Sequence, residues 1–520
     1  PNALLFGRGG TGGILNRVSK KPLLSQDLNQ YSLHINSFGA TGATLDLNRQ
    51  LGEDKAFRLN IMAKSLANHR DFYEGERFGL NPTYRVLIGS DTTIDLSYEY
   101  LNHQRFIDRG IPTTAGRPAV TLEDIVFADP KNNYHQFEAH IARFNIQHFF
   151  DDTLKGTFNA FYGDYDKLYA NYYATDYDED RDQVELDGYI DGTQRQSLML
   201  SGYLVGEFDQ NPIAQTVIVG AEYILTDSNQ SRFNPLFSSS GRDREWFSVN
   251  RPINFSGGLG RNADGDLFNV AFTEFGDDTW VDLEVVSLFA QDELHFGDHF
   301  DLVLGLRFDR FNIKVFDADP SQPDTRERVD EVVTPRAGLI FKPRENVSMY
   351  VSYSESFLPR SGEQYASLEG ANDRLAPDTY TNQEIGLKWD FNPRLSMTLA
   401  AFKNTQSSPQ VADDDPQTLD VVDSDIEGFE FQVSGQLTHS LYLTTNYSYL
   451  DGEIVDRLGP SGRRLRELPK HMASLWVAYQ VSEHWGFGLG VTYQGKSFAD
   501  NSNSARLPAY VRSDLSVYRN

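Results

Sequence analysis

The sequence predicts an all-β chain folded as a transmembrane antiparallel β-barrel. Two observations carry this: period-two runs with an aromatic-rich apolar face, and short turns alternating with long polar connections; the absence of an apolar stretch long enough for a membrane helix does not exclude it. Phe 35, Tyr 26 and Trp 5 make 13% of the 520 residues, and they recur inside the alternating runs. The cleanest run is WGFGLGVTYQG (485–495), where Trp485, Phe487, Leu489, Val491 and Tyr493 oppose Gly486, Gly488, Gly490, Thr492 and Gln494. Strand side chains alternate between faces, so one face here is greasy with aromatic ends and the other is small or polar. A soluble sandwich strand alternates too, but its polar face is charged or bulky more often than glycine.

The pattern recurs in DLVLGLRFDR (301–310), with Leu302, Leu304, Leu306 and Phe308 opposite Val303, Gly305, Arg307 and Asp309. In VSMYVSYSES (347–356), Met349, Val351 and Tyr353 oppose Ser348, Tyr350, Ser352 and Ser354. HSLYLTTNYSYL (439–450) aligns Leu441, Leu443, Thr445, Tyr447 and Tyr449. Such runs, about nine to twelve residues long, exceed the usual soluble strand and suit a tilted membrane strand. Lipid demands that every backbone polar group be satisfied internally, which a closed sheet achieves without an edge. Runs centre near 33, 46, 60, 84, 98, 142, 158, 200, 219, 285, 306, 336, 352, 385, 399, 430, 445, 474, 490 and 515. That is about twenty strands. GDHF, PRENV, NPR and LTHS mark short turns; 105–135, 165–192, 227–277, 357–378, 404–424 and 451–467 read as long outer loops.

Composition excludes several functions. Lys+Arg 47 against Asp+Glu 74 leaves a net charge of -27, contrary to the basic footprint of a nucleic-acid binder. The acids concentrate in 174–192, 317–331 and 411–420, which have loop compositions. With no cysteine there is no disulfide, thiolate nucleophile or Cys-ligated zinc, which fits an oxidising compartment. No G-x-S-x-G elbow or H-E-x-x-H pair occurs, so the chain is not expected to be an enzyme. His135 and His140 fall on opposite strand faces, and His295 and His299 flank a turn; no metal site is assigned.

The opening PNALLFGRGGTGGILNRVSKKP is not a phosphate loop, because Gly13 is followed by Ile14 and Asn16–Pro22 does not continue as an amphipathic helix. Pro1, Gly7, Gly12, Gly13, Asn16, Ser19, Lys20 and Pro22 resemble the end of the plug domain in TonB-dependent outer-membrane ferric-siderophore receptors. TNQEIGLKWDF (381–391), the hairpin 425–454 and LPKHMASLWVAY (468–479) resemble barrel segments of the same family, so the likeness covers essentially the whole chain. It implies a plug end over residues 1–27 and a barrel over 28–520, with about 22 strands in the complete protein. Most of the plug, its TonB box and a signal peptide are expected before Pro1, and a last hairpin after Asn520.

The resemblance implies a receptor of the bacterial outer membrane, surrounded by lipopolysaccharide and lipid. It implies high-affinity capture of a ferric siderophore, with energy-coupled plug gating driven by the inner-membrane TonB–ExbB–ExbD complex and no covalently bound cofactor. Haem, cobalamin or an oligosaccharide as cargo fits the same architecture. A passive porin is the other alternative, though it needs no plug segment and only about 16–18 strands.

Arg8, buried in a plug, needs a carboxylate or carbonyl partner, and the resemblance points to barrel glutamates Glu384 and Glu430 as a plug–barrel lock. An anionic ferric chelate calls for arginine hydrogen bonds and ring contacts. LNHQRFIDRGIP offers Arg105, Phe106 and Arg109; GRDREWFSVNRP offers Arg244 and Trp246; SESFLPRSGEQYASL offers Phe357, Arg360 and Tyr365. For each, an ordinary rim arginine or aromatic-belt residue is the plain alternative.

Overall fold

The computed structural model describes residues 16–210, 213–249, 256–358, 377–412, 415–456 and 462–519. Twenty long strands pair antiparallel, each with its chain neighbours, into one sheet. The first five are β1 (Leu28–Ile35), β2 (Thr41–Gln50), β3 (Lys55–Ala67), β4 (Glu74–Ile88) and β5 (Thr92–Phe106). Next come β6 (Tyr134–Phe149), β7 (Leu154–Asp178), β8 (Gln183–Gln210), β9 (Ile213–Phe237) and β10 (Leu267–Phe296). The third group is β11 (Phe300–Asp317), β12 (Asp324–Arg344), β13 (Val347–Leu358), β14 (Asp378–Asn392) and β15 (Leu395–Ala412). The last are β16 (Asp415–Thr438), β17 (Leu441–Asp456), β18 (His471–Gln480), β19 (Trp485–Gln494) and β20 (Tyr510–Arg519). Each run centre expected from sequence falls inside one of these strands. β1 pairs with β2 and β20 with β19, and no pairing joins β1 to β20 among the described residues.

The two ends of the wall differ. At one, the connections 51–54, 89–91, 150–153, 297–299, 345–346, 393–394, 439–440 and 481–484 are only two to four residues long. Gly297, at φ 59°, supplies the left-handed residue one such turn needs. At the other end the β5–β6 and β9–β10 connections span 107–133 and 238–266.

Alternation separates the faces as the sequence predicts. Leu304, Leu306, Val286, Leu288, Val351, Ile385, Trp485, Phe487 and Leu489 are exposed on the outside. Arg307, Asp309 and Ser287, one residue out of phase on β10 and β11, are buried inside. An exposed apolar band facing outward and polar groups facing inward is the arrangement lipid requires. Gly435 sits inside the wall at φ 140°, where an added Cβ would press on the Arg394 carbonyl. Gly435→Ala should therefore lower barrel stability by roughly 2 kcal/mol, read as a lower temperature for loss of the compact form in semi-native gel electrophoresis.

The strands run longer than expected, and this corrects three of the loops. Residues 165–192, 227–277 and 404–424 are largely strand; β7 and β8 are joined by 179–182 alone, and β10 has 30 residues. A bilayer needs only about ten tilted residues. Above the apolar band the outer face carries Asp282, Glu284, Arg310, Lys314 and Glu331, with Arg310 3.4 Å from Glu331. Their inward neighbours Val281, Leu283, Val285, Phe311, Ile313 and Val315 are buried in an apolar cluster, so alternation continues above the band with its phase reversed, charge outward and apolar groups inward.

The long connections have a core of their own. Ala119, Leu122, Phe127, Tyr172, Val184, Phe237, Phe247 and Phe268 form one buried cluster, with Tyr172 stacked on Phe272 at 5.0 Å. Asp129, fully buried, ties the two largest loops together. Its Oδ1 accepts from the Lys131 and Gly257 amides at 2.9 and 3.0 Å, and its Oδ2 from the Gly258 amide at 3.1 Å and Asn132 Nδ2 at 2.7 Å. Asn133 completes the clamp, donating to the Ile107 and Tyr172 carbonyls at 3.1 and 2.9 Å. Asp129→Ala orphans buried donors at about 1–3 kcal/mol each. Protease cutting within 107–133 and 256–266 should then rise while the β-sheet signal in circular dichroism stays unchanged.

Candidate functional site: a cationic, tyrosine-lined belt

On β5, Leu96 and Tyr98 are exposed outward, so Asp95, Glu99, His103 and Arg105 face the lumen. Pairing carries that parity from strand to strand. One inward row runs Lys64–Arg77–His103–Phe137–Lys167 across β3 to β7. The next, nearer the long loops, runs Arg105–His135–Tyr169–Asp191–Arg232–Asp277 across β5 to β10. With Arg109 just beyond β5, six cations face two acids, Asp191 and Asp277. This is a positive belt inside a strongly acidic chain.

Tyrosines floor the belt. The Arg232 guanidinium lies 4.5 Å over Tyr189, and that of Arg109 4.8 Å over Tyr173. Arg109 also donates to Tyr189 Oη and Asn171 Oδ1, both at 3.0 Å. Tyr169 stacks on Tyr189 at 5.9 Å and meets His135 at 5.8 Å, and His135 lies 5.6 Å from His103. Arg232 pairs with Asp191 at 3.1 Å, yet Asp191 Oδ1, Arg232 Nε, Thr193 Oγ1 and His135 Nδ1 are buried without a hydrogen-bond partner among the described residues. Buried polar groups left unpaired are costly.

The expected ligand residues divide. Arg105 and Arg109 lie in the belt, and Arg244 flanks it, 3.3 Å from Asp187. Trp246 is half-buried on a short strand (Glu245–Ser248) paired to β8. Phe106 and Phe357 are corrected: Phe106 is 5% exposed in a cluster with Val126 and Ala128, and Phe357 is 1% exposed against Phe311 at 5.1 Å. Both rings satisfy the chain's own packing and present no face to a ligand. Arg8, Arg360 and Tyr365 lie outside the described residues. Sequence reading missed Tyr169, Tyr189 and Arg232, whose convergence needs the register of three strands.

Glu384 and Glu430 share the lumenal face, through the row Tyr350–Gly386–Ala400–Glu430 beside Glu384. Tyr350 donates to Glu384 at 2.5 Å. A second ionic network, also missed, holds the segment ahead of β1. Arg17 pairs with Glu99, Lys20 with Asp46 at 2.6 Å and Lys21 with Asp95 at 3.1 Å. Each acid has a wall arginine as well: Arg143 to Glu99 at 3.0 Å, Arg58 to Asp46 at 2.8 Å and Arg85 to Asp95 at 2.6 Å. Asn48 adds neutral bonds, accepting from the Leu23 amide at 2.8 Å and donating to the Leu23 and Gln26 carbonyls at 2.8 and 2.7 Å. Near the short turns His295 pairs with Asp301 at 2.9 Å, not with His299, and Lys342 Nζ lies 2.5 Å from the same carboxylate. Glu293, His295 and Asp301 bring ligand atoms within 4.8 Å of one another, and the lysine already pairs with one of them, Asp301.

A lipid-banded wall with a charged lumen and structured outer loops defines a receptor-type outer-membrane barrel. Residues 79–520 match the TonB dependent receptor-like β-barrel family, and the chain belongs to it. It is 26% identical to the probable TonB-dependent siderophore receptor PiuA of Acinetobacter baumannii, over 98% of this chain and 72% of that protein. It is also 26% identical to the metal-pseudopaline receptor CntO of Pseudomonas aeruginosa, over 99% and 72%. With the catecholate siderophore receptor Fiu of Escherichia coli K12 it shares 23% over 98% and 72%. The crystal structure of PiuA superposes with a TM-score of 0.86 at 24% identity, covering all of this chain and 78% of the other.

Proposed function

We propose that this receptor imports a ferric siderophore, bound from outside on the lumenal belt and released inward by energy-coupled movement of a plug that ends with residues 1–27. The belt carries the reading. Six cations and a tyrosine floor suit an anionic chelate with flat, oxygen-rich ligand groups, and a charged cleft with low-dielectric walls concentrates counter-ions. The siderophore receptors among its relatives support the same cargo, and the TonB-dependent family supports coupling to TonB–ExbB–ExbD. The ion pairs of Arg17, Lys20 and Lys21 fit the plug's fixed end, and Glu384 and Glu430 face where its arginines would dock. No bond of the cargo is made or broken, so no catalytic residue is assigned. Lipopolysaccharide surrounds the outer leaflet part of the wall.

Cells lacking their own siderophore receptors and expressing the full-length protein should take up radiolabelled iron from a ferric siderophore only while the proton-motive force is intact. Uptake that persists after uncoupling would identify a passive pore instead. Uptake confined to a non-ferric metal chelate would move the cargo toward that of the pseudopaline receptor.

A further inference from the structure

Among the cations of the belt stand two imidazoles. His103 on β5 and His135 on β6 face the lumen in adjacent rows, with ring centroids 5.6 Å apart and planes at 68°. Both are half-buried. Their neighbours are cationic. Arg77 Nε donates to His103 Nδ1 at 3.2 Å, Arg105 lies directly across the β5–β6 pair from His135, and Lys167 ends the row of His103 through Phe137.

The hydrogen bond fixes the state of one ring. Arginine has donors and no acceptor, so His103 Nδ1 accepts and carries a lone pair. His135 Nδ1 is enclosed, and no donor or acceptor faces it among the described residues. Each ring can therefore turn a nitrogen lone pair toward a shared ligand. Two imidazole nitrogens on one metal at about 2.0–2.1 Å, at angles from cis to trans, set their ring centres about 4.5–6.4 Å apart. This pair lies within that span. A bare metal ion would meet repulsion from the surrounding guanidiniums and ammonium groups. A metal inside an anionic chelate would not, because the chelate's oxygens pair with those same cations.

We propose that His103 and His135 are inner-sphere ligands to the metal of the bound chelate, and that the belt selects anionic chelates leaving two coordination positions open. An oxygen of the chelate takes over the Arg77 Nε–H, which releases the His103 Nδ1 lone pair. That nitrogen and His135 Nδ1 each displace a metal-bound water. No proton is transferred and the metal keeps its oxidation state. A chelate that already fills its metal's six positions takes the charge contacts alone. The inference rests on the import reading, because that reading places the cargo on the belt.

The test uses the full-length receptor without a polyhistidine tag and two probes of equal charge. Copper(II) nitrilotriacetate is tetradentate and leaves positions open; cobalt(III) ethylenediaminetetraacetate is hexadentate and closed. With the copper probe, the parent's electron spin-echo signal should be modulated by the remote nitrogens of two imidazoles. His103→Gln with His135→Gln should erase that modulation and weaken binding by at least about tenfold, since losing even a group behind a metal ligand costs about 10–100-fold. The cobalt probe should bind parent and variant alike. His140→Gln, which removes an exposed imidazole beside Glu138 on the outer face, should change neither readout. Unchanged heat-modifiable mobility on gels verifies the barrel; if the double variant loses it, the single variants serve, each removing one imidazole from the echo. Modulation and affinity for the copper probe that are equal in parent and variants overturn the assignment. Equal losses with both probes also overturn it, because they show a role in shape or charge. A parent that imports no iron from any ferric chelate in energised cells overturns the import reading, and the copper echo then decides the histidine pair on its own.

Discussion

Glutamine at both Arg109 and Arg232 weakens binding of an anionic ferric chelate by about 100-fold, or about 3 kcal/mol, at low salt. Charge-assisted hydrogen bonds contribute about 1.5–3 kcal/mol each, and these two guanidiniums flank one ring, Tyr189. The sum is reduced because Asp191 already satisfies part of Arg232, at 3.1 Å. Asp191→Asn provides the converse: freeing Arg232 and Lys167 should tighten the same ligand by a factor of about three. Binding of a neutral ferric hydroxamate should respond to neither change. Isothermal titration with both chelate types checks this, and equal losses for charged and neutral ligands would remove the belt from recognition. Raising ionic strength should slow association of the charged chelate alone.

The double change Asp46→Asn with Glu99→Gln breaks the anchor of the segment ahead of β1. Both acids are only 5% exposed, and each holds a wall arginine together with a cation of that segment. Removing one partner from a desolvated pair costs about 3–5 kcal/mol in the buried limit. Arg17 and Lys20 are more than half exposed, so about 2 kcal/mol per site is the expected effect after screening. The barrel should survive while residues 16–27 become open to protease. Cells should grow sensitive to vancomycin, a solute too large for an occupied lumen. Resistance equal to the parent's, with the segment still protected, would show that Asn48 and the remaining contacts hold it alone.

Much of this wall was legible in the residues. Trp485, Phe487 and Leu489 against Gly486, Gly488 and Gly490 gave away the lipid face, because a membrane wall forbids charge on one side and crowding limits size on the other. The lumenal glycines take their reason from a neighbour: a Cβ at Gly490 would stand 2.8 Å from the Trp476 ring. Arg105 and Arg109 were also findable, as cations at and just past a strand end. Tyr189 was not, since it stands in the acidic stretch 174–192, where composition reads as loop and the chain pairs as β8. Arg232 failed for the same reason on β9. The anchor acids had a usable signal: with Leu96 and Tyr98 set outward, Asp95 and Glu99 must face in. What alternation cannot supply is the register that puts Arg17 opposite Glu99.

The measurement closest to the central claim is tryptophan fluorescence of the purified full-length receptor, titrated with ferric and iron-free siderophores, haem and cobalamin at two ionic strengths. Trp246, beside the belt-flanking Arg244, is placed to report. Saturable, salt-weakened quenching by a ferric siderophore, absent with its iron-free form and with haem, is the expected result. Quenching by haem or cobalamin with silence from every ferric siderophore would contradict it.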